Sequence, residues 1–260
     1  MSSAASRPAD GTDANVELSV IIPAHNSSSV IEDTARQMAH RLAGTRTEII
    51  VVENGSTDDT FAQCQRIAQE WDAQGVTFTL LQSEKGMGNA LRAGSLASAG
   101  RRVLLTADDL PFGFGDIDQA EALPDAAVVI GSKAHPDSNS DRGALRATLT
   151  GGFALLRRAV LGMRTGDPQG TFIIDGELLR SVAPDLEEPG FLFTTELVYL
   201  VEKRGIRPVE VPVNLRADHV SHDSRISRSD VVSMGTGLFR LRGRHKLTTA
   251  HSTSGANSND

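Results

Sequence analysis

Four short apolar runs each end on a cluster of polar or glycine residues, and this repetition constrains the fold more than any other feature of the chain. The runs are 18–22 (LSVII), 48–52 (EIIVV), 76–82 (VTFTLLQ) and 102–106 (RVLLT). The clusters are Pro23-Ala24-His25-Asn26, Glu53-Asn54-Gly55-Ser56, Glu84-Lys85-Gly86-Met87-Gly88 and Thr106-Ala107-Asp108-Asp109. Apolar runs of this length, rich in β-branched residues, read as buried strands. The intervening stretches read as helices, at about 29–44, 57–74 and 87–99. Ser29-Val30-Ile31-Glu32 has the form of a capping box for the first. In the second, Phe61, Cys64, Ile67 and Trp71 recur at helical spacing before Gly75. Strands alternating with helices imply an α/β fold. Its sheet is open and mostly parallel, with right-handed crossovers and helices on both faces. Such sheets bind ligands beyond the C-terminal ends of their strands, which is where all four clusters fall.

After Pro111 the pattern loosens. Strands are expected at 126–131, 171–175 and 207–213, and a helix at 194–204 before Gly205. Another helix is expected over 144–161, with Leu145, Leu149, Phe153, Leu156 and Val160 on one face. The segment 135–143 (HPDSNSDRG) reads as a mobile surface loop. Polar residues 1–16 and 247–260 read as disordered tails, so the folded domain is expected over 17–215. A formal net charge of -7 on 260 residues leaves no whole-protein basic field, which argues against nucleic acid as the main partner. One cysteine, Cys64, excludes an intramolecular disulfide and a zinc site built on a thiolate pair. Its helical spacing assigns it to the core. No apolar run approaches the roughly 18–20 residues that cross a bilayer, and the polar start does not read as a signal peptide. These features point to a cytoplasmic protein.

The chemistry sits in the clusters. Asp108 and Asp109 are adjacent carboxylates after an apolar strand, and a hard divalent cation relieves their mutual repulsion. Glu53 precedes a tight turn into a helix start, where Ser56, Thr57 or Asp58 is a possible cap. Its carboxylate can accept hydrogen bonds from a base or ribose. Gly86 and Gly88 beside Lys85 offer backbone N–H groups and a cation to a diphosphate.

Taken in order and spacing, SVIIPAHN, IIVVENGSTDDT, KGMGNALRAG and LLTADDLP resemble the nucleotide-sugar half of the inverting family 2 glycosyltransferases of GT-A, Rossmann-like fold. Further on, RATLTGGFALLRRAVLG, GDPQGTF and FLFTTELVYLVEKRGIRPVEVPVN resemble the branch of dolichol-phosphate mannose synthases and polyprenyl-phosphate glycosyltransferases. The similarity covers about 17–246. It implies a nucleotide-sugar site lined by Pro23, Ala24, Asn26, Glu53, Asn54, Ser56, Lys85, Gly86 and Asp108. It implies Mg²⁺ or Mn²⁺ on Asp108, Asp109 or both, with Asp109, Asp167, Lys133 and Arg146 at the reacting groups. Gln169 would lie on the acceptor side. The chain departs from the family pattern in three places. The first Asp of the D-x-D motif is Thr106 or Ala107, the usual Asp-Asp pair is Glu53-Asn54, and the turn at 167–170 lacks its usual Cys.

Transfer of a hexose or N-acetylhexosamine from a UDP- or GDP-sugar to a polyprenyl phosphate is the implied reaction. Such an acceptor is already an anion and needs cations more than a general base. Family members with soluble or saccharide acceptors need a carboxylate base, here Asp167 or Glu196. A catalytically silent nucleotide-binding subunit of a membrane complex is the reading of another class. Residues 224–246 carry Arg225, Arg228, Arg240, Arg242, Arg244 and Lys246 against Asp230, a local net of +5, interleaved with apolar residues. The segment 216–246 therefore reads as a basic amphipathic element for an anionic membrane surface, with Arg225 and Arg228 near the acceptor. It suits a peripheral protein on the cytoplasmic face, with or without a separate membrane subunit. Because the four clusters precede residue 224, the nucleotide site is expected to be independent of it.

Overall fold

The computed structural model describes residues 16–138, 144–216 and 235–245, with the backbone alone at 144–151. The first half runs β1 (Leu18–Ala24), α1 (Ile31–Arg41), β2 (Thr47–Glu53), α2 (Thr60–Gln69), β3 (Val76–Gln82), α3 (Met87–Ala97) and β4 (Arg102–Leu105). Then follow α4 (Gly115–Glu121), β5 (Val128–Ser132), α5 (Ala144–Leu161), β6 (Thr171–Asp175) and α6 (Gly176–Val182). A 3₁₀ turn (Ala183–Asp185), α7 (Phe193–Lys203) and β7 (Val209–Pro212) complete the sheet, and α8 spans 235–245. The seven strands lie in the order β3-β2-β1-β4-β6-β5-β7.

β1 to β4 pair in parallel, as their alternation with helices requires. β6 runs antiparallel to both β4 and β5, whereas β7 is parallel to β5. The N-terminal end of β6 therefore lies beside the C-terminal ends of β4 and β5, with Phe172 opposite Leu105 and Thr171 opposite Gly131. Sequence spacing carried no sign of this reversal, nor of α4 and α6.

Strand alternation sorts the core onto two faces. Ile21, Ile50, Val52, Val103 and Leu105 pack towards α3, α6 and α7. Val20, Ile22, Ile49, Val51 and Leu104 pack towards α1, α2 and α4. Each such side chain contributes roughly 1.5–3 kcal/mol by burial. β2 is buried along all seven residues, while edge strand β3 shows mixed exposure. Cys64 is fully buried on α2, and burial pushes its thiol up to about 12.

The capping box at α1 does not form. Val30 precedes the helix without a side-chain cap, and Glu32 instead accepts from Arg36 (3.1 Å) and Gln63 (2.6 Å), linking α1 to α2. The segment 135–138 is tied to the fold. The Ser138 hydroxyl donates to the Ser132 carbonyl (2.6 Å) and accepts from the Val213 N–H (3.0 Å). Residues 139–143 and the tails at 1–15 and 246–260 lie outside the described residues.

The largest correction concerns the C-terminal segment. Leu238 and Leu241 of α8 are fully buried on the domain. Gly237 lies so close to Leu192 that a Cβ would clash. Arg242 donates to the Val160 carbonyl (2.8 Å), and Arg244 meets Glu187, Glu188 and Glu196. The apolar stripe of 235–245 thus belongs to the core rather than to a detached amphipathic element.

Candidate active site

β1 and β4 are the central neighbours from which the chain winds in opposite directions, so the crevice beyond their C-terminal ends is the switch point of the sheet. The four clusters meet there, and most of their polar atoms bind one another.

Asn26 adopts the left-handed region at φ 54, which Asn tolerates better than most residues. Its N–H donates to Ser56 Oγ (3.1 Å), and its Oδ1 accepts from the Thr57 N–H (2.8 Å). Asn54 is buried. Its backbone and side-chain N–H groups donate to the Ala24 carbonyl at 3.0 and 2.9 Å, and its Oδ1 accepts from the Gly86 N–H (3.2 Å). His25 Nδ1 lies 3.1 Å from the Asn54 carbonyl. A carbonyl only accepts, so this nitrogen carries the proton. These contacts lock the ends of β1 and β2 to the start of α3.

Glu53 is 4% exposed, and its carboxylate accepts from the Ser56 N–H (2.6 Å) and from Gln82 (3.1 Å). Burial opposes its charge, but the Ser56, Gln82 and Gly55 donors outweigh it and hold the group below the usual carboxylate range. Asp58 accepts from the N–H and hydroxyl of Thr60 and from the Ser28 hydroxyl, first among them the Thr60 hydroxyl, which hold it down to about 2. It is the acceptor at the start of α2 among the three residues expected there.

Several expected nucleotide contacts are thereby corrected. Ala24 is fully buried in the core. The Gly86 N–H is taken by Asn54, and the Gly88 and Asn89 N–H groups donate to the Pro189 carbonyl at 2.8 and 3.3 Å. A Cβ at Gly86 or Gly88 would collide with the 188–189 backbone. These glycines serve a close internal approach to the 188–189 backbone. Lys85 is exposed beside Gly55, and Pro23 and Ser56 are half-buried at the rim.

At the end of β4, Asp108 is 6% exposed, accepts from the Ser27 hydroxyl and receives Thr34 Oγ1 at its carbonyl (2.6 Å). Asp109 is half-buried. The next residue, Leu110, has φ 44 and is 2% exposed. A left-handed leucine is costly, and its burial anchors the loop. Among the described residues, the two non-glycine residues with positive φ, Asn26 and Leu110, thus lie in the loops that follow the two central strands.

Across the crevice, Asp167 accepts from the N–H groups of Lys133 (3.0 Å) and Gln169 (3.1 Å), while its own N–H donates to Glu210 (3.0 Å). Lys133 Nζ lies 5.5 Å from the centre of the Phe112 ring, beside the loop carrying Asp108 and Asp109. The reversed β6 is what brings Asp167 and Gln169 to the end of β4 that carries the carboxylate pair, and Lys133 joins them from the end of β5. The Gln169 side-chain nitrogen is enclosed without a hydrogen-bond partner. The side chain of Arg146, on α5, and all of Arg225 and Arg228 lie outside the described residues.

The carboxylate pair fits a hard cation that takes most of its ligands from phosphates and water. Among the described residues no group of three or more His, Cys, Asp or Glu forms a protein-only metal cage. Sequence reasoning missed Ser27, His25, Arg157 and Arg216. Buried Arg157 donates to the Gly166 carbonyl (2.6 Å), supporting the turn before Asp167. The Arg216 N–H donates to the Pro111 carbonyl (3.0 Å), drawing the chain after β7 onto the Asp109 loop. Ser27, Arg157 and Arg216 stand in no spacing that signals a site, and His25 stood in the first cluster without a role of its own.

The architecture is that of solved GT-A glycosyltransferases. Glucosyl-3-phosphoglycerate synthase from Mycobacterium tuberculosis, in complex with Mn²⁺, UDP-glucose and phosphoglyceric acid, superposes with a TM-score of 0.58. That match covers 87% of this chain and 80% of the other at 20% identity, a likeness of fold. Residues 19–174 match the family model described as glycosyl transferase family 2, and the chain belongs to that family. Among its relatives, a dolichyl-phosphate beta-glucosyltransferase of Drosophila melanogaster is 30% identical over 217 residues, covering 76% of this chain and 67% of that protein. One of Dictyostelium discoideum is 27% identical over 250 residues, covering 90% and 76%. The protein is a glycosyltransferase.

Proposed function

We propose that this glycosyltransferase moves a hexose, glucose being the first candidate, from a UDP- or GDP-sugar to a polyprenyl phosphate with inversion. One observation favours this acceptor over a hydroxyl. Both carboxylates that a soluble or saccharide acceptor would need as base are committed elsewhere. Asp167 accepts from two backbone N–H groups. Glu196 is fully buried and accepts from the Glu187 and Glu188 N–H groups, Arg244 and His245. An acceptor that is already an anion needs no base. It needs cations that hold two phosphates near one another, and Lys133 stands at the crevice for that role, with Arg146 in the adjoining helix. The names of the relatives support the same acceptor class and the hexose.

Asp109 would be the direct ligand of Mg²⁺ or Mn²⁺, with Asp108 fixed behind it by Ser27. The cation would neutralise charge developing on the departing nucleoside diphosphate. Asn26, Ser56 and Lys85 form the rim on the nucleotide side, and Gln169 stands on the acceptor side. A lipid acceptor implies work at a membrane surface, as a peripheral protein on its cytoplasmic face or beside a separate membrane subunit. Among the described residues no helix is long and apolar enough to cross a bilayer.

The test is transfer of labelled glucose from UDP-glucose into an organic-extractable product in the presence of a short polyprenyl phosphate. Parallel arms use GDP-mannose, 3-phosphoglycerate and EDTA. Lipid-linked product that disappears with EDTA is expected. Label passing only to the soluble acceptor would overturn the lipid reading, and donor binding with no transfer to either acceptor would favour a silent subunit.

A further inference from the structure

Glu196 is fully buried on α7, yet it lies outside the crevice and takes no part in the reaction proposed above. Its Oε2 accepts from the Glu187 and Glu188 N–H groups, each at 2.8 Å, which pins the loop before α7. Its Oε1 accepts from Arg244 (3.0 Å) and His245 Nε2 (2.9 Å) at the end of α8. An ionised carboxylate only accepts, so in this contact His245 Nε2 is the donor. Burial opposes the Glu196 charge, and the His245 bond leads the contacts that outweigh it. Arg244 also pairs with Glu187 (3.2 Å) and Glu188 (3.4 Å), and Lys203 Nζ holds the His245 carbonyl (2.8 Å).

The pinned loop continues directly into the crevice. Pro189, the next residue, presents its carbonyl to the Gly88 and Asn89 N–H groups at the first turn of α3. Asn89 donates from its side chain to the Lys85 carbonyl (3.1 Å), and the Gly86 N–H reaches Asn54 Oδ1 (3.2 Å). Asn54 in turn is bound to the Ala24 carbonyl at the end of β1. The approach between loop and helix is so close that neither Gly86 nor Gly88 can carry a side chain without displacing the 188–189 backbone. A series of hydrogen bonds, joined through the backbone of residues 188–189, therefore runs from α8 to the nucleotide-side wall.

We propose that Glu196, Arg244 and His245 form a positioning unit that sets the nucleotide-sugar wall of the crevice through Pro189 and the start of α3. Docking of α8 is thus a condition for tight nucleotide binding, although none of its residues reaches the ligand. The acceptor side, built on Asp167, Lys133 and Gln169, hangs from β5 and β6, and none of the Glu196, Arg244 and His245 bonds described above runs to it. The inference rests on the nucleotide-sugar reading of the crevice.

The test compares wild type with His245→Ala, His245→Gln and Gly88→Ala in the full chain. Amide hydrogen exchange is read at Gly88 and Asn89, and UDP and GDP affinity is measured with Mg²⁺. KM for the sugar nucleotide is measured separately from KM for the polyprenyl phosphate. Networks of this kind carry coupling of roughly 3- to 30-fold, so His245→Ala is expected to weaken the nucleotide by about that factor. Exchange at Gly88 and Asn89 should rise while β1 and β2 stay protected, and the acceptor KM should not move. His245→Gln, which keeps a donor, should recover most of the affinity. Gly88→Ala should reproduce the nucleotide defect with α8 still docked, which keeps the test alive if His245→Ala does not fold. Unchanged exchange at Gly88 and Asn89 in folded His245→Ala, or a parallel rise in both KM values, overturns the proposal. Failure of wild type to bind either nucleotide would instead strike the functional reading, with the exchange result still legible.

Discussion

Asp108 and Asp109 are adjacent in sequence but have different physical situations. Asp108 is buried against the Ser27 hydroxyl, whereas Asp109 is half-buried at the crevice. Asp109→Asn should lower transfer by roughly 100-fold or more, the scale of losing one group that stabilises developing charge, with an unchanged melting temperature. Asp108→Ala leaves Ser27 without its acceptor and should cost about 1–3 kcal/mol of stability, read by urea titration. Glu53 and Asp58 titrate in the same region, and the sign of their effect is definite. Both are held below their ordinary range in the folded chain, Asp58 at about 2. The folded state thus favours their ionised forms, and the stability they confer is complete above the ordinary carboxylate range. It is lost as pH falls through that range towards their folded values. Stability should therefore decline between about pH 4 and 2, and Asp58→Asn should flatten that decline. An unaltered acid profile in Asp58→Asn would remove the Asp58 contribution. Residue identities at the crevice were largely legible, because carboxylates and glycines after apolar strands stand out. Their roles were not, since hydrogen-bond partners such as Ser27 and Gln82 lie 81 and 29 residues away.

At the scale of elements, the reversed strand β6 decides the acceptor side. Gly170 lies against the Gly131 carbonyl so closely that a Cβ has no room. Gly170→Ala must push β6 away from β5, and overpacking of this kind costs typically 1–3 kcal/mol. Because Asp167 and Gln169 precede that contact, acceptor KM should rise more than nucleotide KM. A variant of wild-type stability and kinetics would show that the two strands can separate freely. Strands β1 to β4 and their helices were readable from periodicity, since parallel βαβ units leave a regular record. The direction of β6 was not, because an apolar pentapeptide is equally at home in either direction. The same holds for the α1 capping box. Ser29 and Glu32 have the right spacing, but Arg36 and Gln63 compete for Glu32 and prevail.

For the whole molecule, α8 is the element whose meaning changes most. Its apolar residues Leu238 and Leu241 are in the core, and only Phe239 among its large apolar residues is markedly exposed, at 60%. Leu155, on the neighbouring helix α5, is 70% exposed with Arg158 on the same exposed side. If the acceptor is held in a bilayer, Phe239 and Leu155, the two most exposed large apolar side chains among the described residues, are the first candidates to meet it. Phe239→Ser with Leu155→Ser should reduce flotation on anionic vesicles while leaving nucleotide affinity intact. Equal flotation of variant and wild type would exclude this surface. Truncation after residue 234 has a different consequence. It removes Arg244 and His245, the side chains bound to Oε1 of fully buried Glu196, and an uncompensated buried charge costs about 3–5 kcal/mol. The truncated chain should melt markedly lower and bind nucleotide more weakly, in contrast to the independence that the upstream position of the four clusters suggests.

The sequence by itself determined the α/β class, the parallel first half, the position of the site at the strand ends and the family resemblance. Each of these depends on local periodicity or on short ordered motifs, which a chain displays without folding. Tertiary structure alone decided that β6 reverses, that Gly86 and Gly88 admit a neighbouring loop, and that Glu196 binds α8. Those outcomes depend on contacts between distant segments, such as Glu196 with His245 and Gly88 with Pro189. A buried polar group takes whichever partner the packed fold brings within reach, and linear spacing holds no record of that choice.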